Sequence, residues 1–306
     1  MIQISTKMNQ QMILLPNGLE IPSTCYGLGM LKQNLSQYES YSSITQIRES
    51  CKELRRIHTL KRIFNTSNNI FIDTSSAYGM AETVIGKQIA KNERDKVVIC
   101  TKISARDQLR NGKRIDKICK NSMTKLNVNQ LDIYLMHWPV DKNYIDVWKQ
   151  MEELYCEKKV KAIGVCNCHI HHLDEILSRC TIKPMIHQME IHPLFTQCEL
   201  SNFCRKEGIQ IMAYTPLARN DDRLANSKLL KTLSLKYKKS ISQIILRWHV
   251  QLGNIPVVST GNYMHYCDNM NIFDFSLSEE EVNRISGMNI NSRLRYDSDN
   301  CNFCEL

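Results

Sequence analysis

Eight short β-rich runs alternate with longer amphipathic segments along this chain, and that alternation restricts its fold more than any other feature. The runs are Thr24–Gly29, Ile70–Thr74, Val97–Thr101, Leu131–His137, Ala162–Val165, Met185–Gln188, Ile209–Tyr214 and Ile255–Val258. Between them, Glu82–Lys91, Ile115–Leu126, Ile145–Glu157, Leu173–Arg179, Glu199–Lys206 and Ser242–Val250 place apolar residues at i, i+3 and i+4. Strand and helix taken in turn describe a parallel sheet. With no compositional break across 306 residues, residues 1–306 read as one domain, a closed (β/α)8 TIM barrel. An open doubly wound sheet obeys the same alternation, but its dinucleotide fingerprint is missing. Gly27-Leu-Gly29 lacks the third glycine and runs into Met30-Leu-Lys-Gln rather than a helix start.

Three stretches fall outside this pattern. Apolar residues flank Asn17-Gly18, a dipeptide suited to positive φ, so residues 12–22 read as an N-terminal β-hairpin. The basic and polar region Ser42–Asn69 exceeds one ordinary helix and reads as an insertion. Asn289–Leu306 reads as an irregular closing tail.

Composition excludes several functions. With 42% apolar and 23% charged residues the chain can bury a substantial core. No apolar stretch approaches the roughly 20 residues of a membrane span, and Met1–Gln11 lacks the apolar run of a secretory signal, so a cytoplasmic protein is expected. The 13 cysteines follow no framework spacing and read as mostly reduced thiols. A net charge of +9 raises nucleic-acid binding, yet the basic residues are dispersed. The densest segment, Lys228–Lys239, has them at the spacing of a solvated helix face, so no nucleic-acid partner is expected.

The chemistry lies at strand ends. Phe71-Ile-Asp73-Thr-Ser-Ser-Ala-Tyr78, Val97-Val-Ile-Cys-Thr-Lys102 and Leu131-Asp-Ile-Tyr-Leu-Met-His137 all finish in polar residues that would gather at the C-terminal mouth of a barrel. Singly, each has a bland reading as a cap, a packing residue, a rim charge or an interior histidine. Jointly, Asp73, Tyr78, Lys102 and His137 resemble the signature of the aldo-keto reductases. The resemblance continues through Val160-Lys-Ala-Ile-Gly-Val-Cys-Asn167, His187-Gln188-Met-Glu190-Ile-His-Pro193 and Ala213-Tyr214-Thr-Pro-Leu217.

It implies a barrel that binds NADPH in an extended form and reduces a small-molecule aldehyde or ketone, acting as a monomer. A carbonyl that accepts hydride develops negative charge on oxygen and needs a proton donor there. Tyr78 is assigned as that donor, Lys102 as the ammonium that lowers its pKa, and Asp73 as the partner that keeps Lys102 charged. His137 would orient the carbonyl and could share in protonation. By the same resemblance, Asn167 and Gln188 would hold the nicotinamide carboxamide and Tyr214 would stack on its ring. Cys166, Thr215, Leu217, Thr260, Asp268 and Asn269 complete the expected cofactor contacts.

The sequence departs from the family at the adenosine end. Ser259 stands where the family has a lysine, and His265 where it has an arginine, so the two charges that pair with the 2′-phosphate of NADP are gone. Use of NADH becomes possible. Cys166 replaces a serine, and Met30-Leu31 replaces Thr-Trp on the substrate side. The loops that shape the family's substrate pocket, here Lys32–Tyr41, Asp107–Gly112 and Asn291–Leu306, carry no matching residues, so no particular carbonyl is named. These changes keep open a second reading, an inactive nucleotide-binding relative with a structural or regulatory role. Zinc binding by Cys166, Cys168, His169, His171 and His172 with Cys301 and Cys304 is a third, opposed by irregular ligand spacing. No resident metal is expected.

Overall fold

The computed structural model describes residues 11–32, 44–89, 94–111, 114–141 and 143–305. Met1–Gln10, most of the Lys32–Tyr41 loop and Gly112 lie outside them. A two-stranded antiparallel hairpin, β1 (Met12–Leu14) with β2 (Glu20–Pro22), comes first. Gly18 supplies the turn with φ of 83°. The barrel strands follow as β3 (Cys25–Gly27), β4 (Ile70–Asp73), β5 (Val97–Ile103), β6 (Leu131–Met136), β7 (Val160–Cys166), β8 (Ile186–Glu190), β9 (Gln210–Tyr214) and β10 (Ile255–Val258). Each pairs in parallel with the next, and β10 pairs with both β9 and β3, which closes the sheet. Closure settles the choice between the barrel and the open sheet.

The helices outside it are α1 (Ile44–Thr66), α2 (Ala81–Gln88), α3 (Ala105–Asn111), α4 (Ile115–Leu126), α5 (Tyr144–Cys156), α6 (Ile170–Arg179), α7 (Cys198–Lys206), α8 (Asp222–Ala225), α9 (Lys228–Tyr237), α10 (Ile241–Gln251), α11 (Tyr263–Met270) and α12 (Glu279–Ser286). Helix α1 corrects the expected insertion at Ser42–Asn69. Ile57, Leu60, Ile63 and Phe64 recur at helical spacing and are buried against the barrel, while the basic residues that obscured this stripe face outward. The tail after α12 is irregular as expected, apart from a short 3₁₀ turn at Phe303–Glu305.

Side chains alternate between two cores. Phe71, Ile133, Leu135, Ala162, Ile186 and Met212 fill the barrel interior, where Leu15 and Ile21 of the hairpin segment join them. Their neighbours along the strands pack against the helices. Cys25, Cys100 and Cys166 occupy the interior too, and burial pushes all three thiols up. Cys25, Cys100 and Cys166 are therefore packing groups.

The loop after β4 is tied down on both sides of Tyr78. Leu31 N donates to Tyr78 O, and Met80 N donates to Leu31 O at 2.9 Å. Between them Gly79 adopts φ of 60°, and a Cβ there would lie 2.3 Å from Leu31 O. Gly79→Ala is expected to destabilise the protein by about 1–3 kcal/mol through backbone strain and overpacking, read as a lower urea midpoint.

Candidate active site

The C-terminal ends of β4 to β9 bring Asp73, Lys102, His137, Asn167, Gln188 and Tyr214 to one mouth, as (β/α)8 geometry requires. At its base Lys102 is completely buried, and Nζ donates to Asp73 Oδ1 at 2.6 Å and to Thr74 O at 2.7 Å. Gln188 Nε2 donates to the same carboxylate oxygen at 2.8 Å. Burial alone would push the Lys102 pKa down, but Asp73 and the weaker field of Tyr78 outweigh it, and the ammonium is held above its ordinary value. Lys102 therefore stays charged in the core.

The Lys102 ammonium sits 5.6 Å from the Tyr78 ring centroid. It pulls the phenol down as expected, yet burial is the larger influence and the Tyr78 pKa ends above 10. The phenol therefore holds its proton at neutral pH and can release it only as negative charge appears beside it. His137 Nε2 lies 3.5 Å from Tyr78 Oη. Burial, then the charges of Lys102 and Arg295, hold the His137 pKa well below 6.5, so the ring is neutral and does not act as a protonated acid at neutral pH.

Ser75, unassigned from sequence, meets the other nitrogen of that ring. Its Oγ is 3.1 Å from His137 Nδ1 and 3.4 Å from Lys102 O. The one hydroxyl proton cannot serve both acceptors; given to Nδ1, it would leave the imidazole proton on Nε2, toward Tyr78 Oη. A neutral hydroxyl next to a tyrosine signature gives no sequence signal of this kind.

A cleft of about 510 Å³ opens over these groups. Asn167, Gln188, Tyr214, Thr215 and Ser259 of the expected cofactor set line it. Asn167, at φ of 58°, donates through Nδ2 to His137 O and accepts from Tyr214 Oη at 2.7 Å, so Asn167 and Tyr214 are linked to His137. Cys166 is buried behind the wall, and Leu217 is half-buried against the apolar packing. Thr260 and His265 line a second cavity of about 1020 Å³, which shares Ser259 with the first. Asp268 and Asn269 lie on α11 and line neither cavity. Asn269 is buried and Asp268 is exposed on the helix surface.

The tail adds residues that its sequence did not advertise. The buried Glu190 carboxylate accepts the backbone N–H groups of Leu294 at 2.7 Å and Arg295 at 2.9 Å, together with a 3.0 Å contact from His192 Nε2. This anchors the stretch that carries Arg295 and Tyr296 into the cleft lining. A second tie joins His169 Nε2 to Asp297 Oδ1 at 2.9 Å, with His171 and His172 facing Asp299. The cysteine and histidine set considered for zinc does not assemble, since Cys166 and Cys168 are buried and the histidines meet carboxylates instead. His172 Nδ1 accepts the His169 N–H at 3.2 Å, which leaves its proton on Nε2, toward Asp299.

Residues 41–290 match the model of the Aldo/keto reductase family. The chain belongs to that family. An uncharacterised oxidoreductase of Bacillus subtilis is 41% identical over 184 residues, 60% of this chain and 65% of the relative. The glyoxal reductase of the same organism is 32% identical over 288 residues, 94% of this chain and 96% of the relative. Among solved structures, the Bombyx mori aldo-keto reductase in complex with NADP superposes with a TM-score of 0.77 at 26% identity, over 95% of this chain and 96% of that one. This family's members are oxidoreductases, and the barrel with its polar mouth is the fold they share with this chain. Among the described residues no helix is long and apolar enough to cross a membrane.

Asp73→Asn would leave the Lys102 ammonium buried without its counter-ion. It is expected to lower stability by about 3–5 kcal/mol, measured by urea unfolding at neutral pH.

Proposed function

We propose that this aldo-keto reductase reduces small aldehydes and ketones with NADPH or NADH, Tyr78 giving the proton to the carbonyl oxygen. The observation that carries this reading is the pairing of two neutral donors, Tyr78 Oη and His137 Nε2, 3.5 Å apart above a buried ammonium. Donors that close can both reach one carbonyl oxygen at ordinary hydrogen-bond length. The site also fits a nicotinamide dinucleotide. The Tyr214 ring and the amides of Asn167 and Gln188 form one wall of the cleft, and the shared Ser259 leads to a second cavity for the other half of an extended ligand.

When bound, the nicotinamide supplies the hydride. The chain's residues do the rest: the His137 Nε2 proton aligns the carbonyl, and the Tyr78 proton moves to its oxygen as charge develops. Lys102 stabilises the phenolate left behind, and Asp73 holds Lys102 in place. Trp138, Met30 and Tyr296 give the cleft apolar walls, which exclude water around the reacting carbonyl. Glyoxal is a suitable first substrate because a relative matched over nearly its whole length is a glyoxal reductase.

Oxidation of NADPH on adding glyoxal should be seen with the unaltered protein and fall by about a hundredfold or more in Tyr78→Phe. Equal rates in the two proteins would remove Tyr78 from the role, and no oxidation in either would favour the inactive nucleotide-binding reading. The pH profile should be flat through neutrality, because His137 is already neutral there and Tyr78 is still protonated. It should decline only as pH rises above about 10, where the phenol begins to lose its proton. An inflection near pH 6.5 would show that a charged histidine takes part.

A further inference from the structure

The adenosine end of the site lacks its expected lysine and arginine, yet it is not short of positive charge. Lys52, Arg55, Arg56, Thr59 and Arg62 fall at i, i+3, i+4, i+7 and i+10 on α1, which places them along one face of the helix. The adjoining stripe of Ile57, Leu60 and Phe64 is buried on the barrel. This polar face lines the second cavity together with Ser259, Thr260, Asn262 and His265 from the β10–α11 loop. No carboxylate lines that cavity among the described residues.

Close packing holds the helix and the loop together. A Cβ at Gly261 would stand 3.1 Å from Arg55 Cβ and 3.5 Å from Arg56 N, so the glycine allows the arginine stems to lie against the loop. The Arg62 guanidinium stacks 4.0 Å from the Tyr263 ring centroid, and Tyr263 Oη hydrogen-bonds Thr66 Oγ1 at 2.7 Å. Arg56 is committed to Met30 O at 2.9 Å. Arg55 is exposed and makes no ion pair among the described residues. Two guanidinium groups, those of Arg55 and Arg62, are thus presented around a cavity walled by the two replaced positions.

We infer that Arg55 and Arg62 of α1 bind the 2′-phosphate of NADP(H), restoring from a different element the charge lost at Ser259 and His265. This rests on the nicotinamide dinucleotide reading above. A phosphate monoester carries close to two negative charges and accepts the forked donors of arginine, whereas the 2′-hydroxyl of NADH offers no such partner. The cavity, about 1020 Å³, is roomy enough for a nucleotide half on the usual scale of ligand pockets, about 300–1,000 Å³. Ser259 lines both cavities, so the one with the arginines adjoins the one with Tyr214. The replaced residues therefore do not convert the chain to NADH use.

Fluorescence titrations with NADPH and NADH, on the unaltered protein and on Arg55→Gln/Arg62→Gln, test this directly. Glutamine keeps the start of the side-chain stem and removes the charged, forked guanidinium. The unaltered protein should prefer NADPH by about tenfold or more, and the double variant should lose about 10- to 100-fold in NADPH affinity, the scale of charge-assisted hydrogen bonds. NADH affinity should move far less, which also reports that the variant is folded. Adenosine 2′,5′-bisphosphate should compete in the unaltered protein and lose that advantage over 5′-AMP in the variant. Equal affinity for the two dinucleotides in the unaltered protein, or an unchanged NADPH to NADH ratio in the variant, would overturn the assignment. Failure of both dinucleotides to bind at all would instead overturn the reductase reading on which it rests.

Discussion

The buried pair of Lys102 and Asp73 is the interaction on which the rest of the site depends. An ammonium with no solvent exposure is tolerable only because a carboxylate lies at 2.6 Å and a backbone carbonyl at 2.7 Å. Both partners sit on adjacent parallel strands, so barrel closure and the pairing of β4 with β5 decide their approach. Once in place, the charge has several effects. It opposes the upward push of burial on Tyr78 and helps to keep His137 neutral, while its carboxylate partner also accepts from Gln188.

Charge at this depth also explains the composition around it. The interior directly behind the pair is filled by Cys25, Cys100 and Cys166, small groups whose thiols burial keeps protonated. Thirteen cysteines thus include several that serve as packing atoms, and no disulfide is formed among them. Polar features are kept to the mouth, where two anchors hold the tail. Glu190 fixes the backbone at Leu294 and Arg295, and the histidines that follow Asn167 face Asp297 and Asp299. The substrate side is thereby built from chain segments that the barrel alone would leave loose.

At the opposite end, charge has moved from one element to another. The β10–α11 loop carries Ser259 and His265, while α1 presents a row of basic side chains across the same cavity. A reading of loop residues alone sees a loss. The packing of Gly261 against α1 turns it into an exchange of donors between neighbouring elements.

What the sequence determined by itself was the strand-and-helix alternation, hence the barrel, and the four polar residues at three strand ends. Periodicity and position on a strand are local properties, and parallel barrels always deliver strand ends to one mouth. Ser259 and His265 were also legible as departures, because each is a change of residue type at one position. The continuous helix α1 was hidden by its many basic residues, although Ile57, Leu60, Ile63 and Phe64 carry its buried stripe. Only the tertiary structure decided that Ser75 meets His137 Nδ1, that Glu190 holds the tail, that burial outweighs Lys102 at Tyr78, and that Asp268 and Asn269 stand outside the cavity lining. Those outcomes depend on distances between residues far apart in the chain and on how much water each group has lost, and neither quantity is written in local sequence.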